Sequence, residues 1–193
     1  MRKLVYYIGV SIDGRIAGPG GEVDFYPVGS DDTAATYMGW VNERYPETVP
    51  TQYRPHVGLE NAPNQRFDTV VMGGNTYRAV LDEGTTSPYE HLRQYVVSGS
   101  LHRSEDPAVE LAGDAVALVR ELKHEDGLDI WLCGGGSLAG SLLPEIDELI
   151  IKSYPVIAGA GPTLVDGGFR PTTFTPTDRQ TFENGASITW YEK

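Results

Sequence analysis

The residues best suited to chemistry lie between Asp129 and Leu143, where Asp-Ile-Trp-Leu-Cys-Gly-Gly-Gly-Ser-Leu-Ala-Gly-Ser-Leu-Leu passes from an apolar run to helically spaced leucines. Ile130 to Cys133 has the character of a buried parallel strand, and Leu138, Leu142 and Leu143 recur on one helical face. Gly134, Gly135 and Gly136 separate the two patterns. Without Cβ atoms they can take positive φ and admit a phosphate to the main chain, at which the free N–H groups of the next helix point. Gly134-x-Gly136-x-x-Ala139 fits the dinucleotide fingerprint in its strand-to-helix setting. Against it, the motif comes late in the chain, and no acidic residue closes the next strand to hold a ribose. A tight turn that only packs helix on sheet is the alternative.

The elements that would position this turn alternate along the chain. Lys3 to Val10 reads as a first, buried strand, followed by a loop from Ser11 to Gly21 rich in glycine. Within it, Asp13 fits a turn closed through its own main chain. Asp31-Asp32 can cap a helix with the stripe Ala34, Tyr37, Met38, Val41 and Tyr45, which stops before Pro46. Glu47 to Arg66 lacks periodicity and reads as a long surface excursion, a substrate lid or an oligomer contact. Thr69 to Met72 is the next strand; Gly73-Gly74 follows, and Asn75 can cap a helix carrying Tyr77, Val80 and Leu81. The strand-glycine-helix device therefore occurs twice.

Gln94 to Ser98 and Ala108 to Leu111 supply further strands, and Asp114 caps a helix with Ala115, Leu118, Val119 and Leu122 on one face, ended by Gly127. Glu148 to Ile157 reads as a strand interrupted by Pro155. Asn184-Gly185 suits a type I′ turn between two antiparallel strands, Thr177 to Glu183 and Ala186 to Tyr191. The expected fold is α/β, with a mostly parallel central sheet and an antiparallel C-terminal edge hairpin, in a single domain spanning residues 1–193.

Composition narrows the function. A net charge of −12 with no basic stripe argues against nucleic acid as a partner. No apolar run approaches a membrane span, no signal-peptide core precedes the first strand, and the lone Cys133 suits a reducing compartment, so the expectation is a cytoplasmic protein without a membrane partner. His56, His91, His102 and His124 lack metal-ligand spacing, and no metal is expected. Cys133, in a predicted buried strand, reads as structural rather than nucleophilic.

In order and spacing, Ser11-Ile12-Asp13-Gly14-Arg15-Ile16-Ala17, Val70-Val71-Met72-Gly73-Gly74-Asn75-Thr76-Tyr77, Tyr95-Val96-Val97-Ser98, Trp131-Leu132-Cys133-Gly134-Gly135-Gly136 and Asp147-Glu148-Leu149 leading to Pro155-Val156-Ile157 form a set. That set resembles the dihydrofolate reductase-like family, and within it the branch related to the reductase domain of the bifunctional riboflavin-biosynthesis deaminase-reductase. Only the 47–66 excursion falls outside the pattern.

The resemblance implies a three-layer fold and a reduced nicotinamide dinucleotide, NADPH or NADH, across the strand ends. It also implies a small heterocyclic substrate of the pteridine or pyrimidine-ribosylamine kind, and a homodimer, for which the hairpin around Asn184-Gly185 is the candidate contact. By the same resemblance, Gly134, Gly135, Gly136, Ser137 and Leu138 would hold the pyrophosphate. Gly73, Gly74, Asn75 and Thr76 would hold the second phosphate region and adenosine ribose, Ser98 the adenosine side, and the main chain near Gly9 and Ala17 the nicotinamide carboxamide. Asp31 or Asp32 stands about where folate-reducing relatives bind the pterin, with Asp32 the candidate catalytic acid and plain N-capping the alternative. Trp40 is a candidate for the substrate pocket or for core packing. One departure is Gly74, where the family places an arginine for the 2′-phosphate of NADPH, so cofactor preference stays open, with Arg78 and Arg103 as nearby substitutes. A non-catalytic module that retains the nucleotide cleft is the second functional class.

Overall fold

The computed structural model describes residues 1–82 and 84–193, with residue 31 described by its backbone alone. The elements run β1 (Leu4–Val10), α1 (Asp31–Arg44), two 3-10 helices (Pro46–Thr48 and Thr51–Val57), β2 (Phe67–Gly73), α2 (Gly74–Asp82), β3 (Arg93–Val97), β4 (Val109–Ala112), α3 (Ala115–His124), β5 (Asp129–Gly134), α4 (Gly136–Leu142), β6 (Glu148–Ser153), β7 (Thr175–Thr181) and β8 (Ser187–Glu192). They build one eight-stranded sheet in the order β4-β3-β2-β5-β1-β6-β8-β7. The strands from β4 to β6 are parallel, and β8 and β7 extend the sheet antiparallel. This is the expected α/β architecture.

The central strands read as continuous apolar runs because both faces of the sheet are covered. Val5, Tyr7, Val70, Met72, Trp131 and Ile150 pack with Tyr37, Val41 and Tyr45 of α1 and Tyr77 of α2. Leu4, Tyr6, Val71, Ile130 and Leu132 pack on the other face with Val119 and Leu122 of α3 and Leu138, Ala139 and Leu142 of α4. Successive strand residues alternate between the two cores, which gives the three layers.

Topology then fixes where a ligand belongs. From β2 the chain proceeds through α2 to β3 on one side, and from the adjacent β5 it proceeds through α4 to β6 on the other. Adjacent parallel strands whose connections depart in opposite directions, with helices on opposite faces, leave a crevice between their carboxyl ends. The two glycine turns, at Gly73 and Gly134, flank that crevice.

Several local expectations need correction. Asp31 and Asp32 lie inside α1, whose N-cap is Ser30, and Met38 is 39% exposed rather than part of the buried stripe. Asn75 is likewise the second residue of α2 and not its cap. Asp114 does cap α3, accepting from the N–H groups of Val116 and Ala117 at 3.0 Å each, but α3 closes at His124, with Glu125 as C-cap, well before Gly127. Strand β6 stops at Ser153, ahead of Pro155, which cannot donate to the ladder. The hairpin turn spans three residues: Gly185 N–H donates to the Phe182 carbonyl, with Gly185 itself at φ 81°, so Glu183 and Asn184 form the turn and Gly185 the bulge.

The 47–66 excursion is the largest departure, because its polar residues turn inward. Glu47 is fully buried, and its carboxylate accepts from the N–H groups of Gln65 at 3.1 Å and of Arg66 and Phe67 at 2.8 Å each. Arg54, also buried, donates from Nη1 to the Pro46 carbonyl and from Nη2 to the Ala62 carbonyl, both at 2.6 Å. Two buried charges thus hold the segment shut with main-chain partners and fix the entry to β2. Glu47→Ala leaves the buried Phe67 N–H and the half-buried N–H groups of Gln65 and Arg66 without their acceptor and is expected to cost about 2–5 kcal/mol, with Glu47→Gln milder because one carbonyl oxygen remains. Urea unfolding of the three proteins checks this, and equal midpoints would reject the staple.

Candidate functional site

The crevice is built from loop backbones that come close because their residues are small. A Cβ on Gly73 would lie 3.4 Å from the Gly134 carbonyl oxygen, 3.5 Å from the Gly135 nitrogen and 3.7 Å from Leu138 Cβ, so the two glycine turns are in direct contact. A Cβ on Gly135 meets nothing nearer than Ile16 Cδ1 and Thr76 Oγ1, both at 3.8 Å. The turn, the first residues of α2 and the loop after β1 therefore converge on an open space bounded by Gly135, Thr76 and Ile16. The Gly134–Gly135 peptide is cis, and Gly134 has φ 137°, a value that L side chains rarely adopt.

Gly136 has a different role from the expected one. A Cβ there would strike the Thr163 carbonyl, and one on Gly140 would strike the Asp166 carbonyl. The Asp166 N–H donates to the Gly136 carbonyl at 3.0 Å, and Ser137 Oγ donates to Asp166 Oδ2 at 3.1 Å. The 163–167 loop thus occupies the side of α4 on which Gly136 and Ser137 were expected to meet a phosphate. Leu138 is buried in the core beneath. Of the expected pyrophosphate group, Gly134 and Gly135 face the crevice.

The corner expected to hold adenosine is a compact polar cluster. Ser98 Oγ accepts from the N–H groups of Ser100 at 3.2 Å and Leu101 at 3.1 Å. A Cβ on Gly74 would lie 2.9 Å from that oxygen, so a side chain there would have to displace the Ser98 hydroxyl. Arg78 crosses the same corner, donating from Nη1 to Asn75 Oδ1 at 2.7 Å and from Nη2 to Ser100 Oγ at 2.6 Å. Arg103 is exposed and makes no side-chain hydrogen bond or ion pair among the described residues.

At the other end the loop after β1 is strapped to the loop after β6. Asp13 does more than close its own turn: its carboxylate accepts from Ser11 Oγ at 2.6 Å and from the N–H groups of Ala158 at 2.9 Å and Gly159 at 2.8 Å. The Ser11 hydroxyl and these amides hold its acid at about 2, well below the usual carboxylate range. Arg15 Nη1 donates to the Gly161 carbonyl at 2.9 Å, and Ile16 N–H to the Pro162 carbonyl at 3.0 Å. Tyr26 covers Gly9, donating its hydroxyl to the Arg15 carbonyl at 2.8 Å and reaching the Gly9 carbonyl at 3.3 Å. The N–H and C=O of Ala17 have no hydrogen-bond partner among the described residues.

The expected substrate residues do not gather here. Asp32 is exposed in the first turn of α1 and its carboxylate makes no hydrogen bond or ion pair among the described residues, while the Asp31 side chain lies outside them. Trp40 packs edge-on against Phe182 at 5.2 Å and Trp190 at 6.0 Å, beneath the Arg44 guanidinium. Together with Glu43, Tyr45, Gln65 and Arg66 it lines a groove on the outer side of α1, away from the strand ends. Burial pushes the Cys133 thiol up to about 12, in keeping with a structural rather than nucleophilic cysteine. Sequence reasoning missed Lys152, which β6 places beside Gly9 of β1. A lysine directly after the apolar run Leu149, Ile150 and Ile151 was the available signal.

Comparison with known proteins now carries weight, because order, topology and cleft are all in view. The family model described as the RibD C-terminal domain matches residues 2–188. The chain belongs to that family. The uncharacterized protein YwjB of Bacillus subtilis (strain 168) is 32% identical over 163 residues, covering 83% of this chain and 80% of YwjB. YyaP of the same organism is 24% identical over 197 residues, covering 95% and 91%. The crystal structure of a candidate riboflavin biosynthesis protein from Shewanella sp. PV-4 shares the fold, with a TM-score of 0.67 at 24% identity over 100% of this chain and 98% of that one. RibD C-terminal domains are reductases as a family, which supports oxidoreductase chemistry in general terms.

The two middle glycines should separate on mutation. Gly136→Ala pushes a Cβ into the Thr163 backbone and is expected to lower thermal stability by several degrees, an overpacking cost of about 1–3 kcal/mol. Gly135→Ala, which adds its Cβ to open space, should melt like the parent. Matched melting curves for all three proteins would show that Gly136 has no packing role.

Proposed function

We propose that this chain is a reductase that binds a reduced nicotinamide dinucleotide across the carboxyl ends of β1, β2 and β5 and reduces a small heterocycle of the pteridine or pyrimidine-ribosylamine kind. The observation that carries the reading is the open space at Gly135, bounded by Thr76 and Ile16 and lying at the topological switch between β2 and β5. A cofactor bound there would supply hydride, and the protein supplies orientation. Gly134 and Gly135 would admit the pyrophosphate, and the unpartnered N–H of Ala17 suits the carboxamide oxygen, while the Ala17 carbonyl lies against Gly161. The strap through Asp13 holds the Ala17 loop against the strand ends. Tyr26, seated over Gly9, would have to shift for a nicotinamide ring to reach that strand.

Family membership supports the reductase side of this reading over a non-catalytic module. Asp32, exposed in the first turn of α1, plays no part in forming the cleft itself. The same reading extends to a homodimer through the C-terminal hairpin, where every residue of β7 is exposed and the strand has a free edge. A monomer alone in sedimentation at micromolar concentration would reject that contact.

At the adenosine end Arg78 takes the role that Gly74 cannot fill. Its guanidinium, held between Asn75 and Ser100, suits the 2′-phosphate that distinguishes NADPH from NADH. Arg78→Ala should weaken NADPH by about tenfold to a hundredfold, the equivalent of one charge-assisted contact of about 1.5–3 kcal/mol, and leave NADH nearly unchanged. Dissociation constants from nicotinamide fluorescence decide this, and an equal loss for both cofactors would remove Arg78 from phosphate recognition. Gly135→Val, folded by circular dichroism, should bind neither dinucleotide. Retained affinity in that variant would overturn the placement of the cofactor.

A further inference from the structure

Lys152 is a charged side chain near the carboxyl end of β6, on the sheet face that also carries Tyr7, Trp131 and Ile150; the carboxylate on that face of the same strand, Glu148, lies at its other end, paired with Lys3 and Arg66. Lys152 is the second-last residue of β6 and is paired with Gly9, the second-last residue of β1. Its ammonium sits 4.2 Å from the centroid of the buried Tyr7 ring. The titratable groups around it are neutral hydroxyls and a thiol: Tyr7 from β1, Cys133 from β5 and Tyr154 from the end of β6, the last hydrogen-bonded at 2.7 Å to Tyr37 of α1. No carboxylate forms an ion pair with Lys152 among the described residues. An ammonium taken from water into such surroundings, with a ring face as its partner, loses hydration that it does not recover.

Position makes this more than a tolerated cost. The carboxyl end of β1 is where the nicotinamide would lie, so the Lys152 ammonium belongs beside the carbon that receives hydride. Asp32 lies exposed at the start of α1. We infer that Lys152 is the catalytic acid of this site, giving a proton to the substrate nitrogen or oxygen while the adjacent carbon accepts hydride. This rests on the reductase reading above. In the step, a Lys152 N–H bond breaks and the π pair of the substrate C=N or C=O forms the new N–H or O–H bond. The carbon forms its C–H bond with the hydride supplied by the dinucleotide, whose nicotinamide is thereby oxidised. Lys152 is left as a neutral amine, which water reprotonates. Desolvation is the largest influence on the amine and lowers it from its ordinary value of 10.5, which makes it a better donor near neutrality than an exposed lysine.

The test uses the full chain as parent, Lys152→Met and Lys152→Arg. The first readout needs no cofactor: the Nζ resonance of ¹⁵N-labelled lysine is followed against pH, with Lys152→Met assigning the signal. Titration below the ordinary lysine value is expected, and an ordinary value overturns the proposal. The second readout is dinucleotide affinity, which both variants should retain. The third is reduction of dihydrofolate and of 5-amino-6-(5-phosphoribosylamino)uracil by NADPH and NADH. With whichever pair the parent turns over, kcat should drop by about a hundredfold to ten-thousandfold in Lys152→Met, the usual scale for a lost general acid. The alkaline fall in the parent's rate, where the donor loses its proton, should disappear with it. Lys152→Arg keeps the charge but gives up a proton far less readily, so it should stay slow. Full activity in the arginine variant would overturn proton donation in favour of charge alone. A parent that binds dinucleotide and turns over, with an equally active methionine variant, overturns the role of Lys152 and leaves the reductase reading standing. A parent that binds neither dinucleotide overturns both.

Discussion

The constraint on which the rest of the structure depends is the handedness of the crossovers between parallel strands. Because such connections are right-handed, a chain leaving β2 in one direction and the neighbouring β5 in the other must put its helices on opposite faces, and it cannot fill the gap between the two strand ends. Apart from Ile16, the residues named at that gap are small or polar. Gly73 and Gly134 end the two strands, Thr76 opens α2, and the loop carrying Ile16 and Ala17 arrives from β1. The glycines do not create the cleft; they keep its floor low enough for the two turns to touch.

The loops around the cleft are held by single charged groups that take main-chain partners. Asp13 ties the loop after β1 to the loop after β6, and Asp166 and Thr163 lie against α4 at positions where only glycine fits. Glu47 and Arg54 do the same for the excursion before β2. Asp13 and Arg54 each satisfy two main-chain groups and Glu47 three, which an irregular segment has no ladder to satisfy. Long glycine-rich and proline-rich stretches can in this way be well ordered without regular secondary structure.

Much of this was legible in the sequence wherever the deciding interaction is local. The strand and helix around Gly134, the cap at Asp114 and the strand-glycine-helix repeat at Gly73 depend on neighbours within a few residues. What was misread depends on distant partners. The Glu47 carboxylate meets residues almost twenty positions later, and Asp13 meets amides at Ala158 and Gly159. Gly136 is a glycine because of Thr163, which no spacing rule reveals. Asp32 and Trp40 were misplaced for a smaller reason. With Ser30 as the N-cap both aspartates enter the helix, and the face that carries Trp40 turns toward Phe182 and Trp190. Lys152 was hidden by its setting, since one cation after three apolar strand residues says nothing about what lies across the sheet.

The position of β1 bears on how the chain reaches this state. Its partners are β5 and β6, with Leu4 opposite Ile130 and Val5 opposite Glu148, so β1 is completed by strands made well over a hundred residues later in this chain. At roughly 5–20 residues per second, Leu4–Val10 waits on the order of ten seconds for both neighbours. During that interval its two apolar faces and both hydrogen-bonding edges are unpaired, the state in which nascent chains associate wrongly. A sheet centred on β1 therefore cannot close around that strand until both of its distant neighbours have been made.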